Sequence, residues 1–295
     1  MSRFFKHTVL YPLQFLGAAF VVGLFWILPF RAASKVGGTL ARTIGPLLGV
    51  SRTARRNLMA AFPDWDEATI EETVKGMWEN LGRTIGEYPA LRNMDMWDNK
   101  SPVEICGQEV LEALIKDGKP GILFLGHLAN WEYATLPAVQ KGLPVTQLYR
   151  TLNNPYIARM IDAVHAKIAQ DTVTKGAHGA RKMLRVMKDG GHLSMLVDQK
   201  LREGIPVPFF GREAMTPQAM ANLALKFDCP VVPVRVERIS GVNCRVTYYP
   251  PLSLETMRQE KDPAFAIMKQ VNDLLESWIR ERPAQWIWVH NRWPK

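Results

Sequence analysis

The sequence predicts an α/β protein with a largely parallel sheet flanked by helices, preceded by an N-terminal transmembrane or interfacial helix and a helical preface. Three observations carry this reading. From residue 103 onward, short apolar runs alternate with amphipathic stretches, the pattern of strands and crossover helices. Residues 34 to 91 show helical periodicity only, and residues 8 to 30 form a run of 23 without a charge.

That run is long enough, at about 1.5 Å per residue, to span a bilayer core of about 30 Å. Pro12 and Pro29 suit the limits of a helix. A secretory signal peptide is the competing reading, but the run is long for an h-region. It also ends in Pro29, Phe30 and Arg31 without a small-x-small cleavage site. The expectation is a retained anchor over residues 1–33, either spanning the bilayer or lying in its interface.

A helical preface over 34–100 follows, with helices expected over 34–48, 51–61 and 66–91. Asp66 is the expected cap of the last, with Glu67, Glu71 and Glu72 early in it. The third segment, 101–295, is the α/β domain, and 34–295 is expected to form one compact unit. Strands are predicted over 121–125, 144–149, 192–197 and 231–236. Helices are predicted over 109–116, 156–168, 177–188, 217–227 and 263–282. Residues 242–249 should pair antiparallel to the preceding strand through the Ser240-Gly241 turn.

The net charge of +9 is unevenly placed. Eight basic residues (Arg3, Lys6, Arg31, Lys35, Arg42, Arg52, Arg55 and Arg56) precede the first acidic one, Asp64. Beyond them the chain is nearly neutral. A nucleic-acid binder would spread a basic stripe over its folded domain, so this balance argues against nucleic acid as a partner. More cations follow the apolar run than precede it, which by the positive-inside tendency leaves the bulk of the protein in the cytoplasm. The Arg52, Arg55, Arg56 cluster faces either anionic head groups or solvent. The three cysteines, Cys106, Cys229 and Cys244, show neither metal-type spacing nor an even count, so they predict neither a zinc site nor a disulfide framework.

Residues 126 to 132, Gly-His-Leu-Ala-Asn-Trp-Glu, directly follow the strand predicted over 121–125. His127 and Glu132 form a His-x4-Glu pair. On a continuous helix the two would lie about 140° apart, so the pair meets only if His127 sits on the strand-to-helix turn. There an imidazole serves as general base with a carboxylate to orient it. Arg150 follows the strand over 144–149, and Asp198 with Gln199 follows that over 192–197. In a parallel sheet all of these gather at the carboxyl edge, where α/β ligands bind. No G-x-S-x-G elbow, Walker loop, G-x-G-x-x-G or H-E-x-x-H occurs.

The ordered blocks resemble those of the bacterial lipid A biosynthesis acyltransferases, the lauroyl/myristoyl transferase family within the wider glycerolipid and lysophospholipid acyltransferases. The blocks are Arg55-Arg56-Asn57-Leu58 with Phe62-Pro63, the His127 to Glu132 stretch, Tyr149-Arg150 with Asn153, Asp198-Gln199, residues 204 to 211, and a tail with Trp288, His290 and Arg292. The resemblance implies transfer of a fatty acyl chain from a thioester, acyl-carrier protein being the expected donor, to a hydroxyl of a membrane lipid at the inner membrane. It needs no cofactor or metal.

In that reading His127 is the base and Glu132 its orienter. Arg150, Asn153, Asp198 and Gln199 bind substrate, with Arg150 holding an anionic part and Asp198 positioning Arg150 or a substrate hydroxyl. Backbone N–H groups near 204 to 211 are expected as oxyanion donors. His290, Arg292 and the nearby tryptophans are read as structural, and His165, His178 and His192 as structural or exposed. Ala129 stands where the family often has Gly, Trp286 where Tyr is common, and Lys200 follows Asp198-Gln199; these departures leave the acceptor open. The expected acceptor is a lipid A precursor, with another glycolipid or phospholipid, a carrier-protein thioesterase activity, or a non-catalytic membrane-anchored binding protein as alternatives.

Overall fold

The computed structural model describes residues 6–149, 154–169, 171–174 and 176–293. The first helix, α1 (Tyr11–Ile27), is followed by α2 (Phe30–Ile44), α3 (Ser51–Ala61) and α4 (Glu67–Glu87). The segment His7–Ile27 is 21 residues long with a mean hydropathy of 1.8, sufficient in length and composition to cross a membrane. Pro29 stands at the break before α2. The side chain of Asp66 caps α4 by accepting from the backbone N–H of Thr69 at 2.8 Å. Helix α4 stops at Glu87, short of the expected 91, because Pro89 falls in the 3₁₀ turn Tyr88–Asn93 that completes the segment.

Seven strands build the main sheet: β1 (Val103–Cys106), β2 (Gly121–Leu125), β3 (Val145–Tyr149), β4 (Asp171–Thr174), β5 (His192–Leu196), β8 (Val231–Ser240) and β9 (Asn243–Tyr248). Their lateral order is β1-β9-β8-β2-β5-β3-β4. The run from β8 to β4 is parallel throughout. Strand β9 turns back antiparallel on β8, as expected, and β1 pairs parallel with β9. Helices α5 (Gln108–Lys116), α6 (Leu136–Gln140), α7 (Pro155–Ile168), α8 (Ala177–Lys188), α9 (Ala219–Phe227) and α10 (Pro263–Glu281) make the connections and cover the sheet.

Strand β2 is buried along its whole length. Ile122 and Phe124 enter one core with α3, α4, α9, α10 and the tail tryptophans, while Leu123 and Leu125 enter another with α5, α6, β8 and β9. A central strand covered on both faces needs apolar residues at every position, which is why 121–125 reads as a continuous run. The preface shares the first core through Leu58, Phe62, Val74 and Met77. Burying each such side chain contributes about 1.5–3 kcal/mol.

Residues 205 to 216 form a separate hairpin. Strand β6 (Ile205–Phe209) pairs antiparallel with β7 (Arg212–Thr216) through the two-residue turn Phe210-Gly211. Both turn residues have positive φ, 52° and 66°, as a tight type I′ hairpin requires. Pro206 and Pro208 are tolerated because a two-stranded sheet consists of edge strands. The hairpin packs on α10, where Asn272 Nδ2 donates to Pro208 O at 3.0 Å. The backbone N–H of Phe210 donates to the Glu276 carboxylate.

Candidate functional site

Strands β2 and β5 are parallel neighbours in register, Leu125 opposite Leu196. The loops leaving their carboxyl ends therefore meet, bringing His127 against Asp198. His127 Nδ1 lies 2.7 Å from Asp198 Oδ1, and the backbone N–H of His127 donates to Asp198 Oδ2, also at 2.7 Å. Trp286 Nε1 donates to the same Oδ2 at 2.7 Å. A Cβ added at Gly126 would lie 3.3 Å from Asp198 Oδ2 and 3.0 Å from Leu275 Cδ2, so glycine before the histidine leaves room for this approach.

Asp198 is 2% exposed. Burial alone would raise its pKa, but the facing imidazole and the three donors hold the carboxyl well below the ordinary carboxylate range. An ionised Asp198 can only accept, so Nδ1 of His127 carries hydrogen and the lone pair of the neutral ring is at Nε2. The carboxylate on Nδ1 is thus that of Asp198, not of Glu132 as the local spacing suggests. Glu132, buried in the 3₁₀ turn Trp131–Ala134, accepts from Trp131 Nε1 at 3.1 Å. Trp286 occupies a position where the family often has Tyr, and either side chain offers a donor to the aspartate.

The loop between His127 and Glu132 is fixed from below. Leu128 forms an isolated antiparallel bridge with Trp286, and the N–H of Ala129 donates to Gln285 O at 3.0 Å. Ala129 O accepts from Asn80 Nδ2 at 3.1 Å and Thr84 Oγ1 at 3.2 Å. Asn130 Nδ2 donates to Glu87 Oε2 at 2.8 Å. Glu87 is fully buried and forms a bidentate pair with Arg238, at 2.6 and 3.0 Å. It also accepts from Ser34 Oγ at 2.7 Å and from the Tyr133 hydroxyl at 3.3 Å. One carboxylate therefore joins α2, α4, β8 and the loop of His127.

Ala129 has φ of 49°, the left-handed region, which disfavours a side chain by about 1–2 kcal/mol. This accounts for the Gly often found here in the family. Ala129→Gly relieves that strain but gives up a buried methyl, worth about 0.8 kcal/mol, and about 0.5–1 kcal/mol of backbone entropy. The expected result in urea denaturation is a stability within about 1 kcal/mol of wild type. Ala129→Val, β-branched at positive φ, should be clearly worse, by more than about 2 kcal/mol; equal stabilities for the two variants would contradict the conformational argument.

His127 stands at the polar end of a cavity of about 840 Å³, with Glu132, Gln199 and His290. Its remaining walls are mainly apolar. They come from α1 (Gly17, Ala18, Val21, Val22), from Leu81 and Ile85 of α4, from α7 (Ile157, Ala158, Met160, Ile161) and from Leu148 and Leu196 of the sheet. Helix α1 lies along this opening. Asn154 Nδ2 donates to Tyr11 O at 2.9 Å near one end, and the Arg92 guanidinium sits 5.0 Å from the Trp26 ring centroid near the other. Leu13, Leu16, Phe20, Leu24 and Ile27 are exposed at three- and four-residue spacing, an apolar stripe turned away from the domain.

Of the expected site residues, His127, Glu132 and Gln199 line the cavity and Asp198 stands directly behind His127. Arg150 and Asn153 lie outside the described residues, and so does the side chain of His165. No residue of 204 to 211 lines the cavity, so the expected oxyanion donors are not there: the hairpin is committed to α10. His178 is exposed and His192 buried. Trp286, Trp288 and Arg292 are buried in the core, in line with a structural role. Burial pushes the Arg292 guanidinium down to about 10.

His290 departs from that structural reading. Gln199 Nε2 lies 3.2 Å from His127 Nε2 and 3.3 Å from His290 Nε2. Asn57 Nδ2 donates to the carbonyls of both Trp288 and His290, at 2.8 and 2.7 Å, and so sets the path of the tail. The presence of His290 and Asn57 among the blocks shared with the family was the available signal.

An imidazole held by a buried carboxylate at the head of an apolar cavity, on the carboxyl edge of a parallel sheet, defines the class: an α/β protein with a histidine facing an apolar cavity. The chain belongs to the bacterial lipid A biosynthesis acyltransferase family, which it matches over residues 2–295. It is therefore an acyltransferase of lipid A biosynthesis. Among curated individual proteins none matches it.

Proposed function

We propose that the protein moves a fatty acyl chain from an acyl thioester, with acyl-carrier protein as the donor, to a hydroxyl of a lipid A precursor. The contact between His127 Nδ1 and Asp198 Oδ1 carries this reading, because it leaves Nε2 as the acceptor facing the cavity. The acceptor hydroxyl gives its proton to Nε2 as its oxygen attacks the thioester carbon. The carbonyl electrons pass to oxygen and return as the C–S bond breaks, and the thiolate takes the proton from the imidazolium. Ester and thiol are the products, without a covalent enzyme intermediate. Asp198 orients His127 and stabilises its charged form. Glu132 lines the same cavity.

The apolar cavity suits an acyl chain in volume and lining. Arg150 and Asn153 are assigned to the substrate, with Arg150 binding an anionic group such as a lipid phosphate. Helix α1 holds the protein at the inner membrane with its exposed stripe in lipid, and the basic residues after it favour a catalytic domain on the cytoplasmic side.

The test is transfer of radiolabelled acyl chains from acyl-carrier protein by the purified full-length protein, with and without a lipid A precursor. Label should appear in the lipid only when the precursor is present. Release of free fatty acid independent of acceptor would identify a thioesterase instead, and labelling of another glycolipid or phospholipid in preference to the precursor would reassign the acceptor.

A further inference from the structure

We infer that His290 is a positioning residue for the transfer reaction, holding the Gln199 amide at the Nε2 face of His127. The inference rests on the proposed role of His127 as base and extends it to the tail of the chain. Asp198 and Gln199 are adjacent in sequence, and the tail grips both: Trp286 Nε1 on Asp198 and His290 Nε2 on Gln199. Asn57 fixes the backbone of this tail through two carbonyls, so His290 is placed by the fold.

With hydrogen on Nδ1, the Nε2 of neutral His127 can only accept, so the group of Gln199 3.2 Å away must be its NH₂. That same NH₂ lies 3.3 Å from His290 Nε2 and has a second hydrogen for it. His290 Nε2 is then also an acceptor, and the amide is shared between two imidazoles whose ring centroids are 5.7 Å apart.

A hydroxyl that binds to His127 must take over the Nε2 lone pair that Gln199 occupies. Because His290 retains the other N–H, the displaced amide stays beside the base with one hydrogen turned to the cavity, where His290 and Gln199 both lie. A donor in that place meets the negative oxygen that forms on the thioester carbonyl. His290 touches none of the reacting atoms in this scheme. It acts through Gln199, determining which way the amide faces and where it goes when substrate enters.

The test compares full-length wild type with His290→Phe, His290→Gln, Gln199→Ala and the double variant Gln199→Ala/His290→Phe in detergent micelles. Phenylalanine keeps a ring without an acceptor, whereas glutamine restores one. His290→Phe should lower kcat about tenfold, with KM for the acyl thioester changed less than about twofold; removal of a complete oxyanion donor is larger, about 10²–10³. His290→Gln should recover most of the loss. The double variant should be no slower than Gln199→Ala alone, since both changes remove one arrangement.

Wild-type kcat in His290→Phe, or losses that multiply in the double variant, would overturn the inference. So would failure of glutamine to rescue together with a lowered denaturation midpoint, the mark of a purely structural histidine. Absence of any transfer or thioester cleavage by wild type would overturn the functional reading and this inference with it. Normal wild-type activity with unaffected His290 variants overturns the inference alone.

Discussion

Replacing His127 with Ala should lower the rate of acyl transfer about 10²–10⁴-fold, the range contributed by a positioned general base. The loss should fall on kcat, because the apolar walls that hold the chain are untouched. Asp198→Asn should approach the same loss for a different reason. A side-chain NH₂ turned toward Nδ1 selects the other tautomer of His127 and puts hydrogen on Nε2, where the base must accept. Transfer unchanged in either variant, measured with radiolabelled acyl-carrier protein, would remove the proposed mechanism.

The stability of the same pair has a definite pH signature. The Asp198 pKa is depressed in the folded state, so its contribution is fully present above the ordinary carboxylate value of about 3.9 and is lost as pH falls through the lower folded-state value. The gap in urea midpoint between wild type and Asp198→Asn should therefore narrow as the pH falls below about 4.

Glu87→Ala is expected to cost about 3–5 kcal/mol of stability, because it leaves the Arg238 guanidinium buried without its carboxylate. Arg238 is 7% exposed, and although burial disfavours its charge, Glu87 beside it raises its pKa above the ordinary arginine value. Ser34, Asn130 and Tyr133 lose an acceptor in the same step. The double change Glu87→Leu/Arg238→Met should recover part of the loss by removing both charges, and only part, since these three donors stay unsatisfied. Urea denaturation decides the matter: a loss below about 1 kcal/mol for Glu87→Ala would mean that water or a neighbour replaces the carboxylate. Activity should fall as well, because Asn130 is lost as an anchor three residues from His127.

The inner strands β2, β3, β5 and β8 were legible because they are largely buried and stand out as apolar stretches between polar breaks. That parallel strands would bring His127 and Asp198 to one sheet edge was legible too, but not that they touch. Contact depends on β5 lying beside β2 while β3 lies one place further out, and this lateral order leaves no mark in local spacing. Glu132, only five residues away, was the nearer carboxylate in sequence, whereas Asp198 is 71 residues away.

The hairpin of β6 and β7 was hidden by Pro206 and Pro208, which suit a loop as well as they suit an edge strand. Strands β1 and β4 have four residues each at the sheet margins, too short for a period to show. The Glu87–Arg238 pair was also hidden. A buried charge in a helix and one in a strand look like solvent-facing residues until the partner is known.

Helix α1 gives the cavity one of its walls, with Gly17, Ala18, Val21 and Val22 facing the space where the acyl chain is proposed to lie. Deleting the helix to obtain a soluble protein would therefore change more than location. The shortened protein would retain His127, Asp198 and Gln199, yet its acyl groove would be unroofed, with Leu81, Ile85 and Ile161 open to water. Such a protein would resemble a lock with its keyway cut open: His127, Asp198 and Gln199 in place, but without the wall that encloses the cavity.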